Sequence, residues 1–185
     1  MKIKKMRMAF ILAAGIMLLS STASLAVTTT VEFKAGSFGF NTISVTPFNS
    51  GAPIALTGAD QTVSAAVNDF NVTDARGNNK GWILRISATQ FSNGAGSVLH
   101  EGALAISDAS VTVQGNSDRF DGDCSVVNDI SITSIPQNFI VVPESKGKGT
   151  YTVSGAKLWL DIWPKEALAG TYTSTLTVDL VTNVK

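Results

Sequence analysis

The chain has one cysteine, one histidine and few charged side chains, only 15% of its 185 residues. The single Cys124 excludes an internal disulfide, an ordinary condition for an exported bacterial protein. As a nucleophile Cys124 would want a basic partner, and only His100 is available, so a buried, inert thiol is the preferred reading. Catalytic signatures are missing as well. His100-Glu101 is not followed by a second histidine, and neither a Gly-x-Ser-x-Gly elbow nor a phosphate-binding loop occurs. No enzymatic activity and no cofactor are therefore expected, although carboxylates brought together by folding keep a glycan-active enzyme open as a third option. Beyond the N-terminus no segment sustains an apolar repeat of 3.6 residues, which argues against a helical body.

What is present begins with an export signal. Lys2, Lys4, Lys5 and Arg7 precede an apolar run, Met8–Leu19, and then the small residues Ser20 to Ala26. That is a basic n-region, an h-region and a Ser-x-Ala cleavage site, so residues 1–26 read as a signal peptide cut after Ala26. The run is shorter than the ~20 residues a membrane span requires. Cleavage removes four of the 14 basic residues and none of the 14 acidic ones, leaving 14 acids against 10 bases, a net charge near −4. Without a basic stripe, nucleic acid and anionic lipid surfaces are poor partners. Residues 27–185 suit one domain that buries ~70% of its unfolded surface.

Nearly every later segment alternates at period 2. Phe70–Thr73, the polar loop Asp74–Gly81 and Trp82–Ala88 read as strand, turn and strand, a central hairpin. The alternation puts Trp82, Leu84, Ile86 and Ala88 on one face, where Trp82 serves better as a packing anchor than as a ligand contact. Val31–Lys34, Thr42–Thr46, Ile54–Leu56, Gln61–Val67, Ala103–Ile106, Ser110–Gln114, Val126–Ile135, Phe139–Val142, Lys157–Trp163 and Thr171–Val181 are further strand candidates. Turn signals recur about every ten residues, the habit of a single antiparallel, immunoglobulin-like β-sandwich, an all-β fold of two pleated layers. In the last candidate Tyr172, Leu176, Val178 and Leu180 share a face, and Tyr172 suits a corner where its hydroxyl reaches back to backbone.

Two stretches could meet a ligand. In Lys157–Trp163, Leu158, Leu160 and Ile162 form one face and Trp159, Asp161 and Trp163 the other. A buried Asp161 would need a partner, so the aliphatic face goes inward and Trp159, Asp161 and Trp163 face at least partly outward. Flat rings flanking a carboxylate suit stacking on sugars, or a protein interface. Asn116, Asp118, Asp121, Asp123 and Asp129 form an acidic loop, but their spacing does not match an EF-hand, and a solvated turn without metal is preferred.

Asn71-Val72-Thr73-Asp74-Ala75-Arg76-Gly77 followed by Gly81-Trp82-Ile83-Leu84 resembles the first signature of the WxL domain, a cell-wall-binding surface domain of Gram-positive bacteria. Ala169-Gly170-Thr171-Tyr172-Thr173-Ser174-Thr175-Leu176-Thr177 resembles the approach to its second, C-terminal signature, where Val178-Asp179-Leu180 stands in place of a second Trp-x-Leu. Trp82, Leu84, Tyr172 and Leu180 match the signature positions and are expected to be structural. The resemblance implies a secreted protein held non-covalently at the cell surface by peptidoglycan or another wall polymer, and assembled with other exported surface proteins. The absence of a hydrophobic tail or sorting motif before Lys185 fits that expectation. The alternative is a structural subunit of a surface fibre or adhesive complex, bound through protein contacts.

Overall fold

The structure, a computed structural model, describes residues 30–183. The signal peptide therefore lies outside the described residues. The chain divides into two units, Met1–Phe33 and Lys34–Lys185. In the first unit residues 30–33 are exposed and carry no regular structure, so the strand expected at Val31–Lys34 does not form. Among the described residues Val31 and Phe33 bury no apolar surface that would favour extended pairing; both side chains are exposed.

The second unit is all-β and antiparallel, as expected, with its strands divided among three four-stranded sheets. The first sheet runs in the order β1 (Phe38–Phe40), β3 (Phe70–Asp74), β10 (Gly149–Ser154), β6 (Ser110–Gln114). The second runs β2 (Gln61–Ala66), β11 (Lys157–Ile162), β5 (Leu104–Ser107), β8 (Ile130–Ile132). The third runs β12 (Leu176–Thr182), β4 (Trp82–Ala88), β9 (Gln137–Val142), β7 (Ser125–Val126). The alternating side chains of all three supply one apolar core: Val72 and Tyr151 from the first, Ile106 and Leu158 from the second, Trp82, Leu84, Ile86 and Ile140 from the third. Leu160 and Ile162, further along β11, join Leu99, Ala103 and Ala167 in a smaller cluster.

Several expected strands are shorter or absent. Of Thr42–Thr46 only a single bridge remains, Val45 to Val67, and Ile54–Leu56 has no strand at all. Val126–Ile135 breaks into β7 and β8 around Asp129, whose φ of 60° leaves the extended region. Thr171–Thr175 precedes β12 with one bridge, Thr173 to Ser92. Two strands are unexpected, β1 and β10; in β10 Tyr151 and Val153 point inward while Thr150 and Thr152 point outward.

The central hairpin is also corrected. β3 and β4 do not pair: β3 bonds to β1 and β10, whereas β4 bonds to β12 and β9. Alternation fixes which side chains share a face but not which strand lies alongside, and here the loop carries the chain between sheets. The side chain of Asp74, 3% exposed, turns inward at the end of β3. Arg76 grips it with Nε at 2.9 Å and Nη2 at 2.7 Å, and Asp74 also accepts the Arg76 N–H. The same guanidinium donates to the Gly81 carbonyl and to the Thr182 hydroxyl of β12, and lies over the Phe38 ring of β1. One ion pair thus ties two sheets across the crossover. Gly81 completes the passage, because at its φ of 64° a Cβ would sit 2.3 Å from the Pro143 carbonyl oxygen.

Trp82 then enters the core with no exposed surface. Its Nε1 donates to the Gly147 carbonyl at 3.2 Å, and its ring meets Tyr151 edge-on at 5.6 Å. Leu84 is equally buried, between Leu180 of β12 and Ile140 of β9. Tyr172 is half-buried, and its hydroxyl accepts the Leu168 N–H at 2.9 Å, reaching back to backbone.

Candidate functional site

β11 is the middle of its sheet's polar outer face. Lys157, Trp159 and Asp161 point out while Leu158, Leu160 and Ile162 fill the two apolar clusters. Trp159 sits opposite Ser64 of β2 and Ala105 of β5, so no tall side chain stands directly across from it. The residue is 36% exposed, and its ring is held by an Nε1 hydrogen bond of 2.7 Å to the Ser107 hydroxyl. Asp161 is exposed and accepts a hydrogen bond of 2.8 Å from the Thr62 hydroxyl, which leaves its second oxygen available to a ligand. Trp159 and Asp161 therefore share one surface, as the alternation requires.

Trp163 lies one residue beyond the strand and in a different environment. His100 stacks on one face of its ring, with centroids 3.6 Å apart and planes 10° apart. Lys165 Nζ stands 4.6 Å from the ring centre, which puts it over the opposite face. Glu166 closes the cluster by accepting both the His100 N–H and its Nδ1, each at 2.9 Å. Burial by itself would raise the Glu166 carboxyl, but the two hydrogen bonds from His100, with the charges of His100 and Lys165, hold it below the usual carboxylate range. What Trp163 presents outward is its edge, beside a shallow depression shared with Asp60, Pro164 and Lys165. The roles of His100, Lys165 and Glu166 carry no local signal in the sequence, because His100 and Glu166 are 66 residues apart.

The acidic loop does not gather its carboxylates. Asp121 pairs with Lys146, whose hydrogen bond and charge lower its pKa, and Asp118 accepts the Lys148 N–H at 3.1 Å. Among the described residues no three His, Cys, Asp or Glu side chains converge on a common point. Cys124 is half-buried rather than buried, and burial pushes its thiol up, keeping it protonated and unreactive. A larger hollow of about 620 Å³ opens beside the smaller core cluster, walled by Phe48, Ile54, Leu56, Leu99 and Leu168. Its walls are mostly apolar, and the Tyr172 hydroxyl at its edge is already engaged by Leu168 N–H and Ser97.

Among the described residues no helix is long and apolar enough to cross a membrane. A family model described as WxL domain, surface cell wall-binding, matches residues 22–182. No curated protein and no solved structure matches the chain.

Proposed function

Because the chain belongs to the WxL family of surface cell wall-binding domains, we propose that it is exported, loses residues 1–26, and holds peptidoglycan non-covalently. Membership places it at the cell wall and describes a binding domain rather than a catalytic one. The observation that carries the more specific reading is the outer face of β11. There a partly exposed indole, pinned by Ser107, lies beside a carboxylate with an open oxygen. A sugar ring stacked on Trp159 would bring its hydroxyls within reach of Asp161, and the edge of Trp163 would extend the contact past the strand end. No step of chemistry is assigned to this face.

Sedimentation of the purified protein with purified sacculi tests the reading. Trp159→Ala removes a surface ring and leaves the core untouched, so the variant should fold as the wild type does. Its affinity should fall about tenfold or more, the usual effect of truncating an aromatic anchor. Unchanged sedimentation by a folded double variant, Trp159→Ala with Trp163→Ala, would remove these residues from the binding face.

A second reading, a subunit of a surface complex bound by protein, is favoured by the outer edge of β12. Thr89 N–H donates to the Thr175 carbonyl and Asn183 N–H to the Gly81 carbonyl. Odd-numbered positions therefore face β4, and the backbone groups of Leu176, Val178 and Leu180 point away. Among the described residues nothing pairs with that edge, a ready template for an added strand. On this reading purified protein alone would not sediment with bare sacculi, and would do so only when surface proteins extracted from the wall are added back. Val178→Pro, which deletes an outward N–H and no ladder bond, would abolish that rescue.

A further inference from the structure

The outward side of the first sheet is built of one glycine and otherwise uncharged polar residues. Register and burial place Gly39 of β1, Asn71 and Thr73 of β3, Thr150, Thr152 and Ser154 of β10, and Ser110, Thr112 and Gln114 of β6 on it. None of them is ionisable. On the second sheet the corresponding face carries Lys157 and Asp161. The residues are organised sideways. Thr152 donates to Asn71 Oδ1 at 2.7 Å, Gln114 donates to Thr152 at 3.0 Å, and the Thr73 and Thr150 hydroxyls meet at 3.2 Å. These bonds fix the directions of the groups without exhausting them, since each hydroxyl has one donor and two acceptor sites. Asn41 Oδ1 accepts the Asn71 N–H at 2.6 Å, and the Nδ2 groups of Asn41 and Asn71 have no partner among the described residues.

A trench of about 410 Å³ runs over this face where Gly39 stands, walled by the hydroxyl and carboxamide groups of Asn41, Asn71, Thr73 and Thr150 and, at the β1 edge, by the Phe38 and Phe40 rings. The fold does not require that glycine. Its φ is not positive, and a Cβ built on it would meet nothing within 4 Å. A glycine inside a strand is unfavourable in itself, and one with no conformational need often marks the close approach of a ligand. Asn71 and Thr73 belong to the first signature block, in which the side chains of Val72 and Asp74 are consumed by the core and by Arg76. The outward pair has no comparable role in the fold.

We propose that the trench over Gly39 takes an uncharged, polyhydroxylated glycan strand of the cell wall, bound through Asn41, Asn71, Thr73 and Thr150. Hydroxyl and carboxamide groups with spare donors and acceptors match sugar hydroxyls and N-acyl groups. A face without cations offers nothing to the phosphates of anionic wall polymers. The proposal rests on the wall-binding reading and adds a contact on a sheet separate from Trp159.

Sacculi stripped of phosphate-containing polymers by hydrofluoric acid, compared with unstripped walls, provide the probe. Wild-type protein should sediment with stripped sacculi at least as well as with unstripped walls. Gly39→Leu fills the trench at an unstrained position, so its melting temperature should match or exceed that of the wild type while affinity falls at least tenfold. Thr73→Val with Thr150→Val keeps the β-branched shape, removes two hydroxyls, and should lose a comparable amount. Wild-type affinity for the folded Gly39→Leu variant overturns the trench and leaves the wall-binding reading standing. Binding that vanishes when phosphate polymers are stripped overturns the neutral-glycan assignment. Failure of the wild type to sediment with either wall overturns the trench and the reading beneath it together.

Discussion

Replacing Arg76 by alanine should unfold the crossover more than any other single surface-proximal change. The arginine side chain is 14% exposed and its partner Asp74 3% exposed. Arg76→Ala removes both charge-assisted bonds to the carboxylate, the bond to the Gly81 carbonyl, the bond to Thr182 and the lid over Phe38. Asp74 keeps only the backbone N–H of residue 76. Stranding a buried carboxylate costs about 3–5 kcal/mol, a large share of the 5–15 kcal/mol typical of a whole domain. Asp74→Asn supplies the control, because an amide retains the backbone contact without a charge to strand. In that background Arg76→Ala should cost less than half as much. Urea unfolding followed by the emission of buried Trp82 measures all four proteins, and added salt should change the difference little, as the pair is shielded from solvent. A cost below about 1 kcal/mol for Arg76→Ala, or equal costs in both backgrounds, would refute the idea that this ion pair fastens the two sheets.

Gly147→Ala should destabilise by about 2–4 kcal/mol, because at φ 90° its Cβ would stand 2.7 Å from Trp82 Nε1 and 2.8 Å from Val142 Cγ1. Gly77→Ala, also at positive φ but with nothing within 4 Å, should cost only about 1 kcal/mol, so equal melting temperatures for the two would contradict the packing argument. The Glu166 carboxyl is held below its ordinary value, so its contribution to stability is present above the unfolded pKa and lost as pH falls through the folded one. Melting temperature measured downward from pH 5 should therefore fall more steeply for the wild type than for Glu166→Gln, and parallel profiles would sever the His100–Glu166 link from stability.

The faces of the strands could be read from the sequence because they are a local property. Side chains two apart must share a side, so Trp82 with Leu84 inward and Trp159 with Asp161 outward both follow from alternation. Pairing is not local in that sense. Phe70–Thr73 and Trp82–Ala88 have the pattern of a hairpin, yet Arg76 binds Asp74 two residues back and Thr182 over a hundred residues on, and that grip separates the strands. Trp163 shows the same limit from the other side, since the alternation that joins it to Trp159 cannot register a histidine stacking on it from a distant loop. β10 has only a weak local signal, because its pattern is set by Thr, Tyr and Val between two glycine-containing turns, and its partners β3 and β6 are far away in sequence.

The signature block joins these two kinds of information. Within Asn71–Trp82 the side chains of Val72, Asp74 and Trp82 are buried, and Arg76 and Gly81 shape the crossover, so substituting any of them perturbs the fold before it perturbs binding. Asn71 and Thr73 alternate with Val72 and Asp74 along β3 and face out beside Gly39. A block that marks the family can thus be structural at Val72, Asp74, Arg76, Gly81 and Trp82 and open to a ligand at Asn71 and Thr73. Loss of wall binding on changing Trp82 would report unfolding, whereas loss on changing Thr73 or Gly39, with the melting temperature preserved, would report contact.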